Sequence, residues 1–410
     1  MEYGLIGKKL GHSFSKQIHE RIGKYKYELV ELNEDELDSF LKNKNFKAIN
    51  VTIPYKEKVI EYLDFVTDEA KKIHAVNTIV NKNGLLYGYN TDYLGLKEMI
   101  NHFHIDLKDK NIMILGSGGT SKTAKTLMSN SNVFDVKVVS LTKEEDTITY
   151  DMIPLFEKNI DVLINTTPKE MFPNNKEEIL ASIDNFTSLN AVIDVVYNPI
   201  RTNLALKAKE KNIKYCTGLF MLVAQAFYAI EIFLEKKLDK KVIVDIYDEL
   251  VSQKENIVLI GMPSSGKSSI GKMLASKMNK KFVDVDEEIK KIINMEIATY
   301  FSLYGQESFR EIESEVIAKL SKENGLIIAT GGGSILKKIN ITLLKQNGKI
   351  FFLDRALENL IVTDSRPLSS NINDLKKLYE QRYHIYLSEC DVKVDNNGTI
   401  DETINKILGG

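Results

Sequence analysis

Asn256-Ile-Val-Leu-Ile-Gly261-Met-Pro-Ser-Ser-Gly266-Lys267-Ser268 is the stretch on which the reading of the fold turns. Ile257–Ile260 is an unbroken apolar run of strand length, a glycine-bounded turn closes it, and a helical pattern opens at Lys267. The turn matches G-x-x-x-x-G-K-[ST] in full. Its glycines let backbone N–H groups wrap around phosphates, the Lys267 ammonium reaches the outer phosphates, and the Ser268 hydroxyl binds Mg2+. An ordinary tight turn would not need the lysine. Gly261, Ser264, Ser265, Gly266, Lys267 and Ser268 are therefore the expected nucleotide contacts.

A second strand-turn-helix start lies upstream, where Ile112–Leu115 runs into Gly116-Ser-Gly118-Gly119. As a G-x-G-x-x-G loop it is imperfect, because Ser121 holds the last glycine position. Further strands are expected at Tyr3–Ile6, Lys47–Val51, Val136–Ser140, Val162–Asn165, Ala191–Val195, Leu326–Ala329 and Lys349–Leu353, with helices between. This alternation predicts an α/β protein of parallel sheets with helices on both faces. Two nucleotide-type starts in one chain predict two nucleotide domains, and the polar stretch Ser252–Asn256 is the expected boundary.

The chain has 410 residues, 43% hydrophobic and 27% charged, as in globular proteins. Basic and acidic residues nearly cancel, 55 against 57, which argues against non-specific nucleic-acid or acidic-membrane binding. The longest apolar run, Leu219–Leu234, is broken by Gln225 and Glu231 and falls short of the roughly 20 residues that span a bilayer. The first residues lack a signal peptide's features, and Cys216 and Cys390 make no disulfide framework, so a cytoplasmic location is expected. No His/Cys spacing suggests a structural metal. Small molecules are the expected partners, and no feature sets an oligomeric state.

From Asn256 onward the chain resembles shikimate kinase. Phe282-Val-Asp284-Val-Asp286 is similar to the family's strand-ending D-x-D, Gly305 to Glu313 to its G-E-x-x-F-R-x-x-E with Gln306 for the usual glutamate, and Gly331-Gly332-Gly333 to its glycine triplet. Arg366-Pro367-Leu368 resembles the lid, and Arg382 the second carboxylate arginine. The resemblance implies an ATP- and Mg2+-dependent kinase. Asp284 would assist Ser268 at the metal, and Asp286 would bind the substrate hydroxyls as base. Arg310 and Arg382 would grip the carboxylate, Glu313 would hold Arg310, and Gly332 and Gly333 would approach the ring. Lys267 and Arg366 would neutralise the transferring phosphate. The lid arginine that usually stacks on adenine has no counterpart in Asn359–Asp364.

From Tyr3 to about Glu235 the chain resembles shikimate dehydrogenase. Leu10-Gly-His-Ser13-Phe-Ser15 is similar to the S-H-S-x-S turn, with Gly11 and Lys16 departing from it. Asn50-Val-Thr52-Ile-Pro54-Tyr-Lys56 matches N-V-T-x-P-x-K. Ala75-Val-Asn77-Thr78 and Gly88-Tyr-Asn90-Thr91-Asp92 match A-V-N-T and G-x-N-T-D, and Asn165-Thr-Thr-Pro168 resembles the cofactor-side turn. Tyr197, Gly218, Met221 and Gln225 sit in stretches similar to Y-x-P and G-x-x-M-L-x-x-Q. The resemblance implies Lys56 as general acid/base, Asp92 as its partner, and Ser13, Ser15, Thr52, Asn77, Tyr197 and Gln225 as substrate contacts. It implies a two-lobed enzyme: residues 1–100 completed by about 219–252 for substrate, 101–218 as a Rossmann-like lobe, then a P-loop kinase domain at 256–410. Taken singly, Lys56 reads as a solvated lysine, Asp92 as a helix cap and Asn77 as a turn residue; the ordered set of motifs favours the catalytic reading.

The two resemblances name consecutive reactions, reduction of 3-dehydroshikimate and phosphorylation of shikimate, joined in one chain. The alternatives are a quinate-directed dehydrogenase using NAD, a kinase-like domain that only binds and regulates, and a general P-loop nucleotidase. Gly116, Gly118, Gly119, Gly218 and Met221 are the expected dinucleotide contacts. NADP is expected from the family, with NAD possible, since no acid ends Val136–Ser140 and Leu141 stands where the family has arginine. Lys143 or Lys122 is the candidate substitute. Lys143→Ala is predicted to weaken NADPH binding more than NADH binding, and equal losses in paired titrations would count against that contact.

Overall fold

The computed structural model describes residues 1–11, 14–173, 181–360 and 372–409. These form two compact units, Met1–Asn198 with Leu204–Glu249, and Pro199–Asn203 with Leu250–Gly410.

The first unit opens with β1 (Tyr3–Gly7), α1 (Phe14–Gly23), β2 (Tyr27–Glu31), α2 (Glu34–Asn43), β3 (Ala48–Val51), β4 (Phe65–Val66), α3 (Asp68–Ile73), β5 (Thr78–Lys82), β6 (Leu85–Tyr89) and α4 (Thr91–His102). Its sheet runs β2-β1-β3-β5-β6-β4. β1, β2 and β3 pair parallel, but β5 pairs antiparallel with both β3 and β6. The uniformly parallel arrangement expected from the sequence therefore does not hold here. The cause is local: Asn83 and Gly84, at φ 53° and 88°, form the two-residue turn that joins antiparallel strands. Capping follows the sequence at α2, where the Asn33 N–H donates to Glu36 Oε2 at 2.7 Å and three acidic residues fill the first turn.

The unit continues with β7 (Asn111–Leu115), α5 (Gly119–Ser129), β8 (Asp135–Ser140), β9 (Thr147–Thr149), β10 (Val162–Asn165), β11 (Ala191–Asp194), α6 (Asn203–Glu210), β12 (Lys214–Thr217) and α7 (Gly218–Leu234). The sheet order β12-β11-β10-β7-β8-β9 is parallel throughout. This is the doubly wound order, with its switch point between β7 and β10, where such sheets bind ligands. α7 is apolar nearly all round and packs closely on α4. A methyl on Gly95 would lie 2.8 Å from the Met221 carbonyl, so the small residue sets the approach.

α8 (Lys241–Lys254) spans the boundary, its residues through Glu249 counting with the first unit. The second unit continues with β13 (Asn256–Ile260), α9 (Lys267–Met278), β14 (Lys281–Asp284), α10 (Val285–Ile293), α11 (Ile297–Leu320), β15 (Leu326–Ala329), α12 (Lys338–Asn347), β16 (Gly348–Asp354), α13 (Ile372–Glu389), β17 (Val392–Asp395) and α14 (Ile400–Gly409). Its sheet, β14-β15-β13-β16-β17, is wholly parallel. Val258, Ile260, Ile328 and Phe352 face one side and Leu259, Ile327, Phe351 and Leu353 the other, which is why these strands read as continuous apolar runs. Pro199–Asn203 belongs to this unit. The Arg201 guanidinium donates to Glu255 at 2.6 Å and to the carbonyls of Lys345 at 3.0 Å and Gly348 at 2.9 Å, and the Ile200 N–H reaches Asn347 Oδ1 at 2.9 Å. The strands read from sequence agree with the structure to within about one residue at each end. The strands not read, β2, β4 to β6, β9, β12 and β17, mostly lie at or near sheet edges, and β14 ends at Asp284 as the D-x-D resemblance implied. No described helix is long and apolar enough to cross a membrane.

His19 is buried against the ring of Tyr27 at 4.1 Å, bonds the Tyr25 hydroxyl at 2.7 Å and leaves Nε2 unpartnered. Burial pushes its imidazole down to about 3. The folded state keeps it neutral while the unfolded chain takes a proton near pH 6.5. The associated stability is thus present above pH 6.5 and lost as the pH falls towards 3, at up to about 1.4 kcal/mol per unit. Urea unfolding between pH 6.5 and 4 should show this slope, and His19→Phe should remove it.

Candidate active sites

In the first unit, Lys56 follows β3 on a loop and Asp92 stands in the first turn of α4. Their side chains meet, Lys56 Nζ donating to Asp92 Oδ2 at 2.6 Å, both partly open to solvent. Asp92 is not the helix cap: Asn90 is, accepting from the Tyr93 N–H at 3.2 Å. The carboxylate is thereby left to the lysine. Asn77 Oδ1 accepts the Thr91 N–H at 2.7 Å and the Thr78 hydroxyl at 3.0 Å, which directs its amide NH2 elsewhere. Thr91 Oγ1 donates to Gln225 Oε1 of α7 at 3.4 Å. Lys56, Asp92, Asn77 and Gln225 are thus linked through the first turn of α4.

Sequence reading missed the residues that hold this group. Asn50 donates to the Asn77 carbonyl at 3.2 Å and to Thr78 Oγ1 at 3.0 Å, and accepts the Tyr27 hydroxyl at 2.7 Å. All are buried, so each bond replaces water that cannot enter. Asn50 was visible as the first residue of its motif; Tyr27, on a strand not recognised, had no signal. Thr52 follows β3 and donates its N–H to Ile6 at 3.0 Å. Ser15 lies in the first turn of α1, and Ser13 lies outside the described residues.

At the switch point Gly116 has φ 101°, a left-handed conformation glycine takes without strain, and Thr166 Oγ1 crosses beneath it to Leu115 O at 2.7 Å. Gly118 caps α5 and Gly119 begins it, so the free N–H groups of an eleven-residue helix face the turn, as a dinucleotide's pyrophosphate requires. Gly218 opens α7, with its N–H on Val196 O at 2.9 Å. Met221 is buried on α7, and Tyr197 is partly exposed after β11. Lys143 makes no ion pair among the described residues.

In the second unit the loop Gly261–Ser268 wraps on itself. Lys267 Nζ donates to the carbonyls of Gly261 and Met262 at 2.9 Å each, and Ser264 has φ 64°. Ser265 is buried with its hydroxyl unpartnered, and its carbonyl accepts Asn396 Nδ2 at 2.6 Å. Ser268 Oγ donates to Asp284 Oδ2 at 2.5 Å, while Asp284 Oδ1 accepts the Asp286 N–H at 3.0 Å. Hydroxyl and carboxylate beside a phosphate loop are the hard oxygen donors that Mg2+ takes. Among the described residues no group of three or more His, Cys, Asp or Glu is placed to hold a metal.

Arg310 and Arg382 converge on the glycine triplet. Arg310 Nη1 donates to Glu313 Oε2 at 2.6 Å, and Glu313 Oε1 accepts the Ser334 hydroxyl at 2.5 Å. Arg382 Nη1 and the Tyr386 hydroxyl both donate to Gly332 O, at 3.0 and 2.5 Å. Burial, with the Arg310 charge nearby, lowers the Arg382 pKa. Arg310 Nε is buried without a partner, a donor left for an anion. Arg366 lies outside the described residues.

The profile of the shikimate kinase family matches residues 263–409, and that of the shikimate dehydrogenase substrate binding domain matches residues 5–79. A shikimate dehydrogenase (NADP(+)) of Clostridium beijerinckii is 40% identical over 262 residues, 60% of this chain and 96% of that protein. A chorismate mutase/shikimate 5-dehydrogenase fusion protein from Clostridium acetobutylicum superposes with a TM-score of 0.57 at 34% identity, covering 60% of this chain and 96% of that one. Shikimate 5-dehydrogenase from Thermus thermophilus, in complex with NADP(H) and shikimate, gives 0.55 at 26% identity over 61% of this chain and 99% of that one.

Glycine geometry separates structural from ligand roles. A methyl on Gly333 would lie 2.0 Å from Arg310 Nη2, whereas one on Gly118 would meet nothing within 4 Å. Gly333→Ala should destabilise the second unit by about 1–3 kcal/mol in urea. Gly118→Ala should leave stability unchanged and appear only in dinucleotide titrations.

Proposed function

The chain belongs to the shikimate dehydrogenase family and carries a shikimate kinase domain at residues 263–409, and on that premise we propose how its own side chains carry out the two reactions. It is a bifunctional enzyme of the shikimate pathway, reducing 3-dehydroshikimate to shikimate with NADPH and phosphorylating shikimate with ATP. We assign residues 1–100 with about 219–252 to the dehydrogenase substrate lobe, 101–218 to the dinucleotide lobe and 256–410 to the kinase. The cytosol, where both nucleotides are available, is the proposed location.

In the first reaction a dinucleotide held at the turn Gly116–Gly119 would supply a hydride to the ring carbonyl carbon. The carbonyl oxygen then needs a proton, and the Lys56 ammonium, held by Asp92, gives it. Solvent returns the proton to Lys56 through its open side. Asn77, Thr52 and Gln225 bind the ring hydroxyls, and Ser13, Ser15 and Tyr197 complete the substrate contacts. An analogue lacking a hydroxyl would leave those polar groups unpaired, which makes its rejection steep.

In the second reaction Asp286 takes the proton of the attacking hydroxyl. With a nucleotide bound, Lys267 would turn from the Gly261 and Met262 carbonyls to the outer phosphates, and Ser268 and Asp284 would hold Mg2+, whose charge would offset that on the transferred group. Arg310, through its free Nε, and Arg382 bind the substrate carboxylate, with Glu313 fixing Arg310. Gly332 and Gly333 let the ring approach the backbone, and Arg366 covers the transferred group. The observation that carries the reading is the Lys56–Asp92 pair, formed where the two strongest dehydrogenase motifs meet.

Purified chain given 3-dehydroshikimate, NADPH and ATP–Mg2+ should yield shikimate 3-phosphate by mass. Asp286→Asn should stop the sequence at shikimate. Lys56→Ala should slow the first step by about 10²–10⁴-fold while leaving phosphorylation of added shikimate intact. Unchanged reduction in Lys56→Ala would sink the proposed role of that residue.

A further inference from the structure

Beside the dinucleotide turn lies a cavity of about 330 Å³ lined by Ser117, Ser121, Lys122, Lys125, Glu144 and Asp146, among others. Its place, between the turn after β7 and the end of β8, is where a doubly wound sheet receives the adenosine ribose. A phosphorylated ribose there carries nearly two negative charges at neutral pH and calls for a guanidinium or free ammonium. This chain has no arginine between Arg21 and Arg201. Leu141, 74% exposed, follows the end of β8 instead. Both lysines lining the cavity are already paired, Lys122 with Glu57 at 2.7 Å and Lys125 with Asp146 at 3.1 Å.

Three acidic residues line it instead, Glu144, Glu145 and Asp146, and of these Glu144 reaches the dinucleotide turn. Glu144 is fixed by a tight turn, its N–H donating to Thr147 Oγ1 at 2.8 Å and its carbonyl accepting the Thr147 N–H at 3.2 Å. From there its side chain folds back so that Oε1 accepts the Ser117 hydroxyl at 3.4 Å, and Ser117 in turn bonds Ser140, the last residue of β8, at 3.0 Å. Ser117 lies in the dinucleotide turn itself. The acid that such sheets usually carry at the strand end thus comes from a few residues later in the chain. A ribose 2′-hydroxyl can donate to it, whereas a 2′-phosphate meets its like charge.

We propose that Glu144 is the ribose contact of this site and that the enzyme takes up NADH alongside NADPH, Glu144 setting the balance between them. Lys143, the neighbouring cation without an ion pair among the described residues, is what retains the phosphorylated form. The inference rests on the dehydrogenase reading of the first unit and deepens it.

The test measures dissociation constants for NADH and NADPH by dinucleotide fluorescence on the full chain, together with kcat/KM for each in 3-dehydroshikimate reduction. The wild type should favour NADPH by less than about tenfold. Glu144→Gln, which removes the charge and keeps an acceptor, should tighten NADPH by about threefold or more and leave NADH nearly unchanged. Glu144→Ala should tighten NADPH and weaken NADH. A wild-type preference for NADPH above tenfold overturns the inference, as does a Glu144→Gln change in the ratio below threefold. If both dinucleotides bind but neither supports reduction, the dehydrogenase reading fails while the binding ratio still decides the role of Glu144.

Discussion

The Lys56–Asp92 pair of the first unit depends on a chain of buried hydrogen bonds rather than on the ion pair itself. Lys56 and Asp92 are partly solvated, and such a pair contributes little to stability. Their meeting is fixed by polar side chains beneath them. Tyr27 on β2 holds Asn50 on β3, Asn50 holds Asn77 and Thr78, and Asn77 receives the first N–H of α4. Three strands and a helix are thereby brought to one register, and an unmade bond in that series would leave a buried polar atom unsatisfied. α7 comes close enough to add Gln225 only because Gly95 presents no side chain to it.

The second unit solves the equivalent problem with charge. Arg310 is buried against Glu313, which is itself fully enclosed and bound by Ser334. The glycine triplet provides the space: any side chain at Gly333 would collide with the guanidinium. Burying two arginines is costly unless their donors are matched, and the unmatched Arg310 Nε is where that cost is left for a ligand to relieve. Lys267, resting on carbonyls of its own loop, is likewise held by bonds that phosphate oxygens can replace.

What could be read in the sequence was what is local in the chain. The phosphate loop, the dinucleotide turn and the Asn50–Lys56 motif each occupy consecutive residues whose spacing is the message. The sheet cores were legible for the same reason, as apolar runs of strand length. The β5–β6 hairpin carries its own local signal in Asn83-Gly84, which the expectation of parallel sheets passed over. Tyr27 was illegible because its role is a single hydroxyl reaching across a strand. The approach of Glu144 to Ser117 was illegible because a sequence does not tell how far a turn will carry a carboxylate back.

The second unit is not contiguous in the chain. It incorporates Pro199–Asn203, and Arg201 from that segment satisfies Glu255 and the carbonyls of Lys345 and Gly348. Severing the polypeptide ahead of Leu250 would release a fragment deprived of its own internal stitch, with a carboxylate and several backbone acceptors stranded. A free-standing second unit would therefore have to meet those groups with water or with side chains of its own, and its stability would fall by whatever Arg201 contributes.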